Sequence, residues 1–215
     1  MLIAALLACS ASHGVRPIGQ GNHAIEASLG GPIARLYGKP VVIPLSSVGW
    51  RYGLHDRSDL HVRLQPTTAG LFGVVAGDVG ASWLLVDQVG RRPALVTEGS
   101  LYGAFGSGGV RAYGELEALA SWKLGERGHL VYTGADVFVQ PRAWMEDNPY
   151  LPVRSVVAGP LVGTRLMLGE RTGLALQATW FEPWTDTEAL TAYYYSPGQQ
   201  GAIQVEFGLH RTLGR

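Results

Sequence analysis

The chain has 215 residues, with 17 Lys+Arg against 17 Asp+Glu and so no formal net charge. Charged residues make up only 16% and there is one cysteine, which excludes the basic surplus of a nucleic-acid binder, an internal disulfide framework and a Cys-rich zinc site. Thirty glycines and twenty aromatics beside that low charge fit a β-rich or membrane-embedded chain of one domain.

The chain opens with Met1-Leu2-Ile3-Ala4-Ala5-Leu6-Leu7-Ala8-Cys9, its one long unbroken apolar run. Seven apolar residues before the cysteine suit a secretory h-region and fall far short of the ~20 that span a bilayer. Met1 leads straight into this run, without the positive n-region of a secretory signal. Leu6-Leu7-Ala8-Cys9 resembles the lipobox of bacterial lipoproteins. The resemblance implies a signal peptide over 1–8, a lipidated Cys9, and an N-terminal tether over 9–21 in which Ser10 favours sorting to the outer membrane. The alternatives are a plain secretory signal with an incidental cysteine, or a buried cytosolic N-terminus.

From residue 22 onward the hydropathy pattern has period two, which predicts half-buried strands. Ten runs follow in order: 22–30, 46–55, 58–66, 72–86, 92–104, 108–123, 128–139, 154–168, 172–183 and 200–212. In the third, Leu60, Val62 and Leu64 alternate with His61, Arg63 and Gln65; in the last, Ile203, Val205, Phe207 and Leu209 alternate with Gln204, Glu206, Gly208 and His210. Short connections (Asp56-Arg57, 87–91, 124–127, 169–171) fall at one end of the strands; the long ones (31–45, 140–153, 184–199) fall at the other, together with two brief ones, 67–71 and 105–107.

That pattern predicts an all-β fold, an antiparallel up-and-down transmembrane barrel of about ten strands, eight being the alternative, over residues 22–215. It resembles the small bacterial outer-membrane β-barrels, the group that includes OmpA-type and omptin-type barrels. The resemblance implies outer-membrane lipid around the barrel, insertion by the barrel-assembly machinery, periplasmic short turns and, for an even strand number, periplasmic termini. A lipocalin-like soluble barrel would reverse the faces and hold an apolar ligand inside. Outward Trp50, Tyr52, Trp83, Trp122 and Trp180 near strand ends, and only two lysines against fifteen arginines, favour lipid on the outside.

The inward set is then Glu26, Arg51, Asp59, His61, Arg63, Asp78, Glu98, Arg111, Glu115, Glu117, Asp136, Arg165 and Glu206, read as an interior charge network. The sequence carries no nucleophile elbow, P-loop, dinucleotide-binding fingerprint or zincin motif, so no catalytic residue, cofactor or metal ligand is expected. His55, Asp56, Asp59 and His61 are close enough in sequence for a metal, but a solvated turn with one inward histidine is the plainer reading. The long loops combine aromatics with acids, making Trp144, Tyr150, Trp184, Tyr193, Tyr194 and Tyr195 candidates for a surface contact; an interfacial girdle is the alternative. The function expected is structural or in surface interaction, with a barrel enzyme acting on envelope lipid or peptide as the alternative.

Overall fold

The computed structural model describes residues 13–106, 109–139, 155–187 and 196–214. A short 3-10 turn, His13–Val15, precedes β1 (His23–Leu36), β2 (Lys39–Val42), β3 (Leu45–His55), β4 (Ser58–Leu64), the helix α1 (Pro66–Phe72), β5 (Val75–Val86), β6 (Ala94–Gly106), β7 (Gly109–Leu124), β8 (His129–Val139), β9 (Val156–Met167), β10 (Thr172–Asp186) and β11 (Gln200–Gly214). Every strand pairs antiparallel with its neighbours, and β11 returns to pair with β1, so the sheet closes. The seam runs from His23↔Gly214 to Pro32↔Gln204. Ten strands form the wall; β2 pairs only with the end of β1, from Ile33↔Val42 to Leu36↔Lys39, and makes an exposed hairpin with it.

The alternation predicted from sequence is the alternation of burial. On β7, Tyr113, Glu115, Glu117, Leu119 and Ser121 are buried while Leu116 and Ala118 are exposed. On β11, Gln204, Glu206 and His210 are buried while Phe207 and Leu209 face out. The outer surface carries Ile25, Leu29, Val62, Val79, Leu101, Leu116, Val162, Leu176 and Phe207, all exposed. Among the described residues, exposed charges lie in the turns and towards strand ends: Asp56, Arg57, Asp87, Arg91, Arg92, Lys123, Glu126, Arg127, Glu170, Arg171 and Arg211 at one end, Arg35, Lys39 and Asp186 at the other. A band free of exposed charge therefore separates two charged rims, the distribution a barrel needs to sit in hydrocarbon.

Strands of 11 to 16 residues form most of the wall. At a tilt of about 40° a 12-residue strand rises about 30 Å, enough to cross the apolar band. Trp50, stacked on Tyr52 and close to His23, lies with Trp83 and Trp122 near the short-connection rim, and exposed Trp180 and Trp184 lie towards the long-connection rim. The chain is thus a closed transmembrane β-barrel. No helix among the described residues is long and apolar enough to cross a membrane; the strands do the crossing. The lipocalin-like alternative fails on the same facts, because the charges are inside and the large apolar side chains outside.

Two local elements differ from expectation. The connection 31–45 contains the β1–β2 hairpin, reached through Gly30 and Gly31 at φ +157° and +152°, where a Cβ on Gly30 would stand 2.2 Å from the Val205 carbonyl oxygen. The start of the 72–86 run and the connection before it are instead α1, which begins with Pro66 at its first turn and ends at left-handed Gly73.

Candidate functional site in the barrel lumen

Alternation points one side chain in two at the lumen, where water is scarce and every charge needs a partner. Among the described residues, the buried carboxylates are Glu26, Asp59, Asp78, Glu98, Glu115, Glu117, Asp136, Glu182 and Glu206, against buried Arg51, Arg63 and Arg165 and the histidines His61 and His210. Arg111, also expected inside, is half-buried.

Two arginines organise one side of the lumen. Arg51 Nε donates to Glu26 Oε1 at 3.0 Å, Nη2 to Glu98 Oε2 at 3.2 Å and Nη1 to Ser82 Oγ at 3.1 Å, with Asp59 Oδ2 3.6 Å from Nη1. Arg63 Nε donates to Asp78 Oδ1 at 2.8 Å, and its Nη2 lies 3.5 Å from Glu98 Oε1 and 3.9 Å from Glu115 Oε2. Glu98 bridges the two guanidinium groups. Across the seam, His210 Nδ1 stands 3.1 Å from Glu26 Oε1.

His61, Ser100 and Asp78 have the residue types of a hydrolase triad but not its geometry. Ser100 Oγ and Asp78 Oδ1 both approach His61 Nε2, at 3.1 and 3.2 Å, while Nδ1 has no hydrogen-bond partner among the described residues. A relay needs the acid on one ring nitrogen and the nucleophile on the other. All three are buried, and His61 and Ser100 line a recess with Glu115, so it is the arrangement around the ring that departs from a relay. The metal reading of the second tight turn meets a similar obstacle: His55 and Asp56 are exposed, whereas Asp59 and His61 turn inward to different partners.

The second side of the lumen is acidic. Glu98, Glu117 and Asp136 are in direct register on β6, β7 and β8, and Glu115 is the next inward residue on β7. Glu206 adds a carboxylate from β11, and the charges acting most strongly on Asp136 are Glu115, Glu117 and Glu206. Arg165, from β9, lies within electrostatic reach of Glu26, Tyr132 and Glu98.

The segment 13–20, within the expected tether, packs in the barrel mouth at the short-connection end. Ile18 N donates to both Asp59 carboxylate oxygens at 3.2 Å, and Gln20 N to Asp56 Oδ1 at 3.1 Å. Arg16 reaches Ser121 and Gln88; burial lowers its pKa, opposed by Asp87. Val15 is fully buried in a cluster with Val96, Leu119, Leu130, Tyr132 and Leu161. The fit is close: a Cβ on Gly53 would stand 1.9 Å from the Gly19 carbonyl oxygen, and one on Gly14 would overlap the Glu98 carboxylate. The signal for this in the sequence is apolar Val15 and Ile18 within an otherwise polar, Gly- and Pro-bearing stretch.

Of the aromatic loop candidates, Trp184 is 65% exposed on the distal end of β10. Trp144, Tyr150, Tyr193, Tyr194 and Tyr195 lie outside the described residues, as do Cys9 and the whole of 1–12.

No protein-family model and no curated protein sequence matches the chain. Among solved structures it is similar to the NanC porin, at 7% identity and a TM-score of 0.45 over 89% of this chain and 100% of that one. It is also similar to the translocator domain of the autotransporter NalP from Neisseria meningitidis, at 10% identity and 0.45 over 93% and 91%. A third is the outer membrane protein OprG from Pseudomonas aeruginosa, at 10% identity and 0.30 over 93% and 99%.

Proposed function

We propose that this chain is an outer-membrane barrel lipoprotein of a Gram-negative bacterium, with a structural or surface-interaction role and no catalytic one. The observation that carries the reading is what the lumen holds: an arginine–carboxylate layer joins β1, β3, β4, β5 and β6 on one side of it, and the 13–20 segment packs into its mouth. A barrel filled this way is a scaffold for its rim rather than an open pore. In this reading the short connections face the periplasm and the assembly machinery inserts the barrel. The long loops present Trp144, Tyr150, Trp184, Tyr193, Tyr194 and Tyr195 to a surface ligand or to the interfacial girdle.

Cys9 lies four residues ahead of His13, a reach of at most about 14 Å.

Three experiments test the proposal. Purified protein in a planar bilayer should show no steady conductance; a stable open channel in every insertion would overturn the scaffold role. With Cys9→Ser behind an ordinary signal peptide, the protein should remain in outer-membrane fractions and shift gel mobility on boiling, while labelled acyl incorporation disappears. Unchanged incorporation would remove the lipidation from the reading without touching the barrel. Trp144→Ala with Tyr194→Ala should leave folding intact if these residues bind a ligand, and weaken membrane insertion if they form the girdle.

A further inference from the structure

We propose that the outward face of the barrel seam, at the short-connection rim, is a binding site for one anionic phospholipid. Arg171 and Arg211 hold its phosphate, and Trp50, Tyr52 and His23 carry its glycerol and the first carbons of its acyl chains. Pairing of β11 with β1, and of β1 with β3, brings these residues together from the two ends of the chain. One row across the wall runs Thr172, Arg211, Ile25, Trp50, each directly opposite the next. A second row sets Gly214 opposite His23 and His23 opposite Tyr52. Arg171 reaches that second row, with its guanidinium atoms 3.6–3.8 Å from the place a Gly214 Cβ would take.

The two arginines are exposed, and neither makes an ion pair among the described residues, whereas Arg57 on the same rim is paired with Asp87 at 3.1 Å. Exposed Glu170 precedes Arg171 in the turn, so the patch keeps a surplus of one positive charge. Guanidinium forks match the oxygens of a phosphate, which accepts paired N–H bonds from each. The aromatic side is already assembled: the His23 ring lies 5.5 Å from Trp50 and 5.1 Å from Tyr52, and Trp50 stacks on Tyr52 at 5.9 Å. Such rings have an apolar body and a polar edge, which suits the boundary between headgroups and acyl chains. From Arg211 the outward positions of β11 continue as Leu209 and Phe207, and beside them on β1 run Ile25, Ala27 and Leu29. An uncharged track thus leads from the arginines towards the middle of the wall, and a ligand that uses both parts is an amphiphile rather than free phosphate. The choice of a phospholipid over the lipid A of lipopolysaccharide rests on the proposed periplasmic placing of the short connections.

The test uses the full chain folded in detergent micelles, with the boiled and unboiled gel shift certifying that each variant is folded. After exposure to equal amounts of phosphatidylglycerol and phosphatidylcholine, native mass spectrometry should find one phosphatidylglycerol retained per barrel in preference to the zwitterionic lipid. Arg171→Gln with Arg211→Gln should lower that preference about tenfold or more. Arg91→Gln with Arg127→Gln removes the same charge from other turns of the rim and should leave the preference unchanged. Trp50→Leu keeps an apolar side chain but loses the indole, and should lower retention severalfold. Excess inorganic phosphate should not displace the lipid. A parent that retains both lipids alike overturns the proposal, and so do equal losses in the two arginine pairs, which would reduce the effect to the general charge of the rim. Displacement by inorganic phosphate would overturn the amphiphile. Lipid A that outcompetes phosphatidylglycerol, yet still needs both arginines, would overturn the phospholipid and the orientation together.

Discussion

Replacing Arg51 with methionine should destabilise the barrel by about 3–5 kcal/mol, the cost of removing one partner from a buried ion pair. Arg51 is fully buried and serves Glu26 at 3.0 Å, Glu98 at 3.2 Å and Asp59 at 3.6 Å. The loss is not three times the single-pair figure, since each acid keeps another contact. Glu98 retains Arg63 at 3.5 Å, Glu26 retains His210 at 3.1 Å, and Asp59 retains the Ile18 amide. At about 1.4 kcal/mol per decade, the folding equilibrium should fall by roughly two to four orders of magnitude. Urea or guanidinium unfolding in lipid vesicles, followed by the gel-mobility shift, measures it. The control is Arg57→Met, which breaks the Arg57–Asp87 pair of 3.1 Å whose side chains are 53% and 64% exposed. That change should cost no more than about 1 kcal/mol. Arg51→Lys keeps the charge but loses the fork, and should fall between the two. If Arg51→Met proves as mild as Arg57→Met, water reaches the arginine layer and the filled-lumen argument is wrong.

Three other outcomes follow from the same geometry. Gly53→Val should expel the 13–20 segment, because the Gly19 carbonyl oxygen occupies the space of a new Cβ; thermolysin should then cut before Val15 and bilayer conductance should rise, whereas Gly99→Ala, with open space around it, should do neither. Phe207→Arg, at the middle of β11 and 61% exposed, should cost about 2–4 kcal/mol in vesicles, whereas Leu213→Arg beside the rim should cost about 0–1 kcal/mol. Equal costs at the two sites would mean that the outer face does not meet hydrocarbon. Gly163→Val should destabilise the wall between β8 and β9, since its Cβ would fall 2.3 Å from the Tyr132 ring; a Tyr132→Ala change in the same chain should recover part of the loss, as a thermal-shift series would show.

The ten wall strands were legible because a two-sided wall, apolar outside and polar within, writes its period directly into the chain. The run 128–139 corresponds to β8 at His129–Val139, and 172–183 to the body of β10. The β2 hairpin was not legible: Lys39-Pro40-Val41-Val42 is exposed on all positions, so it has no alternation, and the glycines before it read as an end rather than a bend. The helix α1 is one of seven residues, too short for a 3.6-residue period, although Pro66 and Gly73 marked both its ends. The inward positions of the acids and arginines could be read from parity. Their pairing could not, because strand tilt sets which inward residues meet; Arg51 finds Glu98 across β4 and β5, a contact no spacing in the chain announces.

Closure of the wall has a consequence for the order of events during folding. The strands that meet last in space are the first and last in the chain, and Glu26 and His210 face each other across a sequence separation of 184 residues. Until β11 arrives, β1 presents an open edge of amides and carbonyls that hydrocarbon cannot solvate, and Glu26 lacks its contact with His210. Contacts of such long range are slow to form, because chain entropy must be spent before they give anything back. The seam therefore acts as a latch that only a complete strand set can shut. Shortening β11 at its distal end should leave a partly zipped sheet held at the membrane surface, with its acids still in water and its edges still able to take another strand.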